Sequence, residues 1–386
     1  MKARLDLRTP RRIHVVGVGG PGMSAIAFAL AGMGHSVSGS DIRESPVLDR
    51  LREVGVAVTI GHDATVVQGC DRVTASPAIP STNVEVAAAL AVDSCFMTRA
   101  QMLAAICAVS PTLAVAGTHG KTTTTSLLVH IFDSAGLHPN FVVGGDLKNF
   151  QTNARWSNGT WRIVEADESD GTHLQLPLVG TILTNIEVDH LDHYGDLEGI
   201  VDAFDRYLEG IDGPKVVCLD DTHIAELVRT KAPRHPSMRS SRKAASWITY
   251  GSSEDAMYRY ADIEARSGRM RFRLLGPDID VDVTTSLRGR HNAANITAAV
   301  ALAVVSGIDP TVAAKAVETF SGVGRRFDIR GEVDEVTLVD DYAHLPTEID
   351  AVLTAARTSG DGWRRIVAVF QPNRFNRMSE ISAEYA

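Results

Sequence analysis

The chain has little of what marks several common protein classes. Only four of its 386 residues are cysteine (Cys70, Cys95, Cys107, Cys218), and none forms a C-x-x-C pair, which argues against disulfides or zinc and fits free thiols in a reducing compartment. Basic residues are not in excess. Against 38 lysines and arginines stand 47 aspartates and glutamates, a net charge of −9 with no positive stripe for nucleic acid. No apolar run reaches the length of a membrane-spanning helix. The basic start, "MKARLDLRTPRR", leads into a glycine-rich strand rather than the apolar core of a secretion signal. What remains is an ordinary globular balance of 44% hydrophobic and 22% charged residues. The expectation is a cytoplasmic protein, monomer or weak homodimer, with neither nucleic acid nor membrane as partner.

A chain of this length exceeds one hydrophobic core, so two or three domains are expected. "IHVVGVG" reads as a buried strand, followed by an alanine-rich helix ending at Gly34 and strands at "HSVSGSD" and "DRVTAS". This alternation defines a first domain over 1–108. A second α/β layer, 109–320, carries the strands "TLAVAG", "WRIVEAD", "VGTILTN" and "KVVCLD", a surface loop at "KAPRHPSMRSSRKAASW", an antiparallel excursion at "MRFRLL" and "IDVDVTT", and the helix "NAANITAAVALAVVSG". A third, 321–386, holds a strand at "VTLVDDYA", a helix at "PTEIDAVLTAAR" and a strand at "RRIVAVFQP". That is too little for a doubly wound sheet, so the chain is expected to be cut short or its last domain to be small.

Two glycine loops follow strands. "GVGGPG" (Gly17, Gly19, Gly20, Gly22) with Asp41 at the end of the next strand is a pyrophosphate seat with a carboxylate for a ribose or base; the pattern alone fits NAD or UDP, or merely a tight turn. "GTHGKTT" departs from the Walker pattern, since Val115 stands where its first glycine would be. Its mechanical parts survive: Gly117 and Gly120 bracket the loop, Lys121 can reach phosphates, and Thr122 offers a hydroxyl to magnesium. Acidic clusters end two more strands: Glu165, Asp167, Glu168, Ser169 and Asp170, then Asn185, Glu187, Asp189, His190 and Asp192. Each alone could be a solvated turn. Two in the same domain as the lysine loop point to a metal–nucleotide site. Asn292 and Asn295 lie at i, i+3 on a helix start, where asparagine is also common for capping.

In this order, "HVVGVGGPGMS", "GTHGKTTTT", "EADESDG", "TNIEVDHLDHYG", "GRHNAANITAA", "GVGRRFD", "DDYAHLPTEI" and "FQPNR" resemble the Mur ligases from about residue 12 to 380. The resemblance implies an α/β chain with an N-terminal Rossmann-like domain for a UDP-sugar, a central P-loop ATPase-like domain and a truncated C-terminal Rossmann-like domain. It implies ATP and Mg2+, with UDP-N-acetylmuramate and L-alanine as substrates of an amide-forming ligase working through an acyl phosphate. By position, Lys121 and Thr122 match the phosphate and first-magnesium residues within the ATP loop Gly117, Thr118, His119, Gly120 and Thr123. Glu165 matches a magnesium ligand and His190 the ligand of a second. Asn292 and Asn295 match the nucleotide side, and Arg326 and Asp341 a pair brought to ATP by the last domain. Gly17, Gly19, Gly20, Gly22, Asp41 and the wall from Ser76 to Ile79 match the UDP site; Tyr342, His344, Arg374 and Arg377 match the amino-acid region. Leu345 and Asn373 stand where the family commonly has histidine, both on the amino-acid side. Other readings are the ligase that adds a whole tripeptide, a nucleotide-binding homologue without turnover, and an NAD-linked oxidoreductase, which leaves the lysine loop unexplained.

Overall fold

The computed structural model describes residues 5–92, 95–231, 247–277, 279–372, 377–378 and 382–385. They form two compact units. The first comprises residues up to 114 with 137–146 and 152–179, and the second comprises 115–136, 147–151 and everything from 180 onward.

In the first unit, strands and helices alternate as β1 (Arg12–Val16), α1 (Pro21–Gly32), β2 (Ser36–Asp41), α2 (Pro46–Glu53), β3 (Ala57–Ile60), β4 (Arg72–Ala75), α3 (Val84–Leu90), β5 (Phe96–Thr98) and α4 (Arg99–Cys107). The sheet order is β3-β2-β1-β4-β5, all parallel. This is the doubly wound arrangement, whose order reverses beside β1 and opens a crevice at the carboxyl ends of β1 and β4. Covered on both faces, β1 buries Ile13, Val15 and Val16 almost completely. Pro21 opens α1 with its fixed φ, and Gly34, at φ +86°, lets the chain turn back after the helix. After β6 (Thr112–Ala116), the same unit contains β7 (Asn140–Leu147) parallel to β9 (Arg162–Glu165), with β8 (Thr152–Arg155) beside β7. The sequence reading anticipated β9 and not the pair β7–β8.

A buried carboxylate fixes the end of β2. Glu85, whose side chain is 1% exposed, accepts hydrogen bonds from Ser40 Oγ (2.5 Å), His62 Nδ1 (2.9 Å) and the Asp63 N–H (3.1 Å). His14 Nε2 stands 3.6 Å away, beyond hydrogen-bond range. Burial alone would raise the Glu85 pKa, but the partners that favour its charged form outweigh it and hold the carboxyl at about 2. Ser40 in turn gives its carbonyl to the N–H groups of Gly17 (2.8 Å) and Val18 (3.0 Å), so this network sets the first glycine loop.

The second unit begins with α5 (Lys121–Ser134), then β10 (Gly180–Leu183), α6 (Leu191–Tyr194), α7 (Leu197–Glu209), β11 (Lys215–Cys218), α8 (Thr222–Lys231), β12 (Trp247–Gly251), β13 (Tyr258–Arg266), β14 (Arg269–Gly276), β15 (Ile279–Thr285), α9 (Arg290–Val305), α10 (Pro310–Val317), β16 (Asp328–Val333), β17 (Val336–Asp340) and α11 (Pro346–Thr358). Strands β10 to β13 are parallel, and β13 to β15 antiparallel. The alternation of "MRFRLL" is realised: Met270, Phe272 and Leu274 are buried, while Arg271 and Arg273 pair across the strands with Asp282 (2.7 Å) and Asp280 (2.6 Å). Helices α5 and α9 pack on each other and bury most of their residues, polar ones such as Thr122–Thr125 of α5 and Asn292 and Asn295 of α9 included.

The predicted surface loop at 231–247 lies outside the described residues except for its ends. The strand predicted at "RRIVAVFQP" is not formed. β16 and β17 pair with each other, and among the described residues no strand lies beside 364–372 to take its N–H and C=O groups. Val367 and Val369 are accordingly 68% and 96% exposed. No described helix is long and apolar enough to cross a membrane.

Breaking a buried, hydrogen-bonded ion site by removing one partner typically costs about 3–5 kcal/mol. Glu85→Ala should therefore lower the denaturant midpoint of the first unit sharply, and Glu85→Gln less so. Because the folded pKa lies below the unfolded one, this stabilisation is complete above about 4.5 and is lost as pH falls through about 2. Urea titrations at pH 7 and pH 3 check this; a gap between wild type and Glu85→Ala that does not narrow at pH 3 contradicts it.

Candidate functional site

The chain leaves β6 through a loop with no room for a side chain. Gly117 has φ +126°, and a Cβ there would fall 2.1 Å from Thr184 Oγ1 and 3.0 Å from the Asn185 backbone. Gly120, at φ +77°, is the residue before α5, and a Cβ on it would meet Asn295 Oδ1 at 2.8 Å. Both positions require glycine. The residues after β10 lace this loop in place. Thr118 N–H donates to Asn185 O (3.1 Å) and His119 N–H to Asn185 Oδ1 (2.7 Å). Thr184 Oγ1 donates to His119 O (2.6 Å) and the Glu187 N–H to Thr118 Oγ1 (2.9 Å). Lys121 Nζ bends back to the carbonyls of Gly117 (2.5 Å) and Thr118 (3.1 Å). A glycine-bracketed loop, a lysine ammonium and the N-terminus of a 14-residue helix thus converge, the arrangement that suits a phosphate chain.

This loop forms one wall of a cavity of about 230 Å³ within the second unit, lined among others by His119, Thr122, Asn185, Asn292, Asn295, Arg326 and Asp341. The structure therefore brings four of the predicted residues (Asn292, Asn295, Arg326, Asp341) to the lysine loop across more than 170 positions of sequence. Asn295 Nδ2 donates to Asn292 Oδ1 (3.1 Å), and Asn292 Nδ2 to Arg288 O (2.7 Å). Asp341 accepts from the N–H groups of Phe327 and Ala343, both at 2.7 Å, yet burial pushes its pKa up. Arg326 and Arg325 both stack on the Tyr342 ring.

His119 is strongly perturbed within the cavity. Burial would lower its pKa, but Glu187 Oε2 lies 3.1 Å from Nε2 and Glu348 Oε1 lies 3.0 Å from Nδ1, and together they raise it to about 9. Glu348, reciprocally, is held at about 2 against the opposing effect of its own burial. Sequence reasoning missed Thr347 and Glu348. A signal was available: Pro346 opens α11 and Glu348 stands at its third position, where a carboxylate reaches back to the N–H before the helix, as it does to Leu345 (3.2 Å). Leu345 has no side-chain acceptor to complete the reciprocal half.

In the first unit, Gly17 (φ +73°) is tight against Ser76 Cβ and Ile79 Cγ1, both at 3.3 Å from a hypothetical Cβ, and Gly19 against Asp41. Gly19 N–H donates to Asp41 Oδ2 (2.8 Å). The loop, Asp41 and the Ser76–Ile79 wall therefore meet in the first unit. At Gly20 a Cβ would find only ordinary contact, and at Gly22 only the Arg99 guanidinium. Arg99 is anchored by Asp167 and Asp170, each at 2.9 Å, which accounts for two of the acids after β9.

Of the remaining candidates, Glu165 sits in the first unit and accepts the Gly144 N–H (2.8 Å). His190 belongs to the second, at φ +54° before α6, with Nε2 3.2 Å from Asp189. Asp189 also accepts from Arg377 (3.0 Å), and His344 Nδ1 meets Tyr342 O (2.8 Å). Arg374 and Asn373 lie outside the described residues. Among the described residues no group of three or more His, Cys, Asp or Glu is assembled to hold a metal. Magnesium carried by a nucleotide would not need such a group, since it keeps water and phosphate ligands and takes one or two groups from the protein.

Comparison with known proteins decides the family. Three family models match in succession: "Mur ligase family, catalytic domain" over residues 12–110, "Mur ligase middle domain" over 115–303, and "Mur ligase, glutamate ligase domain" over 325–386. The chain belongs to the Mur ligase family. A UDP-N-acetylmuramate–L-alanine ligase of Bradyrhizobium sp. (strain BTAi1) is 40% identical over 98% of this chain and 81% of its own length. The crystal structure of UDP-N-acetylmuramate-alanine ligase from Thermotoga maritima matches with TM-score 0.77 at 28% identity, covering 90% of this chain and 78% of that one. That of UDP-N-acetylmuramate:L-alanyl-gamma-D-glutamyl-meso-diaminopimelate ligase from Neisseria meningitides matches with TM-score 0.72 at 26% identity, covering 82% of this chain and 100% of that one. This Mur ligase is an α/β chain with the family's N-terminal, middle and C-terminal domains.

Gly117→Ala in this Mur ligase should overpack the loop by about 1–3 kcal/mol and abolish ATP binding, whereas Gly20→Ala should leave the stability within about 0.5 kcal/mol of wild type. Differential scanning calorimetry with and without ATP reads both. Equal behaviour of the two variants contradicts the assigned crowding.

Proposed function

We propose that the chain is an ATP-dependent ligase that joins L-alanine to UDP-N-acetylmuramate in peptidoglycan precursor synthesis. The observation that carries this reading is the cavity where the glycine–lysine loop, Asn292, Asn295, Arg326 and Asp341 meet. The near full-length relationship to a ligase of that name supports it. In this reading residues 1–108 bind the UDP-sugar through Gly17, Gly19, Gly20, Gly22, Asp41 and Ser76. Residues 109–320 bind ATP, and 321–386 contribute Arg326, Asp341 and the amino-acid residues His344, Arg374 and Arg377. The protein works in the cytoplasm as a monomer or weak homodimer.

The muramoyl carboxylate attacks the γ-phosphorus of ATP, the bond to ADP breaks, and an acyl phosphate results. The alanine amine then attacks the acyl carbon, and phosphate leaves with the bridging oxygen as the amide forms. Both partners in the first step are anions, so charge must be screened before they can meet. Lys121 supplies one fixed cation at the loop, and the imidazolium of His119 a second charge nearby. Thr122 and His190 of the second unit are residues that would hold Mg2+, which when bound neutralises phosphate charge, while Glu165, in the first unit, is assigned as a magnesium ligand by the family resemblance alone. Asn292 and Asn295 hold the nucleotide side, and Arg326 and Asp341 complete it.

A second reading, ligation of a preformed tripeptide to the same UDP-sugar, is favoured by the structural match to the Neisseria ligase. ADP release with UDP-N-acetylmuramate, measured in turn with L-alanine, glycine, L-serine and the stem tripeptide, separates the two; release that needs only the tripeptide overturns the first reading. Lys121→Ala should abolish ADP release while calorimetric affinity for UDP-N-acetylmuramate changes less than about twofold, since the two ligands are assigned to different domains. His190→Ala should lower kcat more than it raises the KM for ATP. A pure KM effect removes His190 from the reacting centre.

A further inference from the structure

His119 lies in the phosphate loop with a carboxylate on each ring nitrogen: Glu348 Oε1 at 3.0 Å from Nδ1 and Glu187 Oε2 at 3.1 Å from Nε2. A neutral imidazole donates from one nitrogen only, and a carboxylate only accepts. Both contacts can be satisfied together only by the doubly protonated ring. The second oxygen of Glu348 is used differently. Oε2 accepts the backbone N–H groups of His344 (2.9 Å) and Leu345 (3.2 Å), which closes the turn that carries Asp341, Tyr342 and His344 into α11. Thr347 Oγ1 donates to Glu187 Oε2 (2.8 Å), so both carboxylates on His119 are also tied to the first turn of α11. The side chains of His119 and Glu348 are only 14% and 13% exposed, so solvent screens this pair weakly.

We propose that Glu348 is a positioning residue: with one oxygen it fixes His119 of the phosphate loop as a cation, and with the other it sets the Asp341–Leu345 turn, so that the loop and the turn are held in one register. The proposal rests on the reading of the cavity as the ATP site only for its kinetic consequence. Lengths decide between a specific device and general charge balance. Aspartate is one methylene shorter than glutamate and cannot span from α11 to His119 while closing the turn, whereas glutamine keeps the length and loses the charge. The charged groups facing the pair are Glu187 from the β10 side, and His344 and Asp341 from the turn itself.

The test uses the full chain with Glu348→Gln, Glu348→Asp and Glu348→Ala, and reads two quantities. Long-range proton–nitrogen NMR of the His119 ring needs no activity: wild type should remain doubly protonated until about pH 9, and Glu348→Gln should lose the second proton at least tenfold more readily, a shift of one pH unit or more. In ADP-release kinetics, Glu348→Gln should lower kcat tenfold or more while the KM for ATP changes less than about threefold, and the alkaline limb of the kcat profile should move to lower pH with it. Glu348→Asp should not restore kcat. An unchanged His119 titration in Glu348→Gln overturns the proposal whatever the kinetics show, as does a variant whose only defect is a raised KM. A shifted titration in a chain that releases no ADP at all supports the positioning role and overturns the ligase reading instead.

Discussion

Crowding at the exit of β6 is the constraint on which the rest depends. Because a Cβ at Gly117 would collide with Thr184 Oγ1 at 2.1 Å, the loop after β6 and the residues after β10 must come within backbone contact, and Asn185 then hydrogen-bonds the loop twice. That contact brings the N-terminus of α5, with Gly120, Thr122 and Thr123, to the cavity wall. It also brings Glu187 to His119. The same logic repeats with other residues in the first unit, where Gly17 and Gly19 allow β1 to approach the Ser76–Ile79 wall and Asp41. In both places glycine serves close approach first, and only at positive φ does it also serve backbone freedom.

Charge around the second loop is balanced within the protein before any substrate arrives. The imidazolium of His119 is shared by two carboxylates, and the Lys121 ammonium by two loop carbonyls. A polyphosphate entering this cavity exchanges the loop carbonyls on Lys121 for its own oxygens while the carboxylates keep His119 charged, so binding rearranges existing interactions rather than creating them from solvent. Such preorganisation avoids part of the ordering cost of recognition. It also explains why so strongly charged a loop can stay compact beside Glu187, Glu348 and Asp341.

How much of this was legible in the sequence differs by kind of feature. Strand–glycine–helix turns are local, and both were readable, together with Asp41 at the end of β2 and the acids after β9 and β10. Alternation in "MRFRLL" gave the antiparallel strands because one face is buried and the other pairs in solvent. Glu348 was hidden because its role spans 229 positions to His119, and a helix-start glutamate looks like a local cap until the partner is seen. The apolar run at 364–372 misled for a related reason: β propensity describes a fit to neighbours, and none pairs with it among the described residues. Asp167 and Asp170 read as metal candidates, yet they anchor Arg99, which no spacing rule could tell.

The central claim is that a carboxylate is phosphorylated at this loop before the amine attacks. The direct measurement is to supply UDP-N-acetylmuramate labelled with oxygen-18 in its carboxylate, together with ATP, Mg2+ and L-alanine, and to analyse the released inorganic phosphate by mass spectrometry. The account predicts one carboxylate oxygen in each phosphate formed, because the acyl phosphate's bridging oxygen departs with it. Phosphate that carries only oxygen from ATP or water, released in step with the amide, contradicts it.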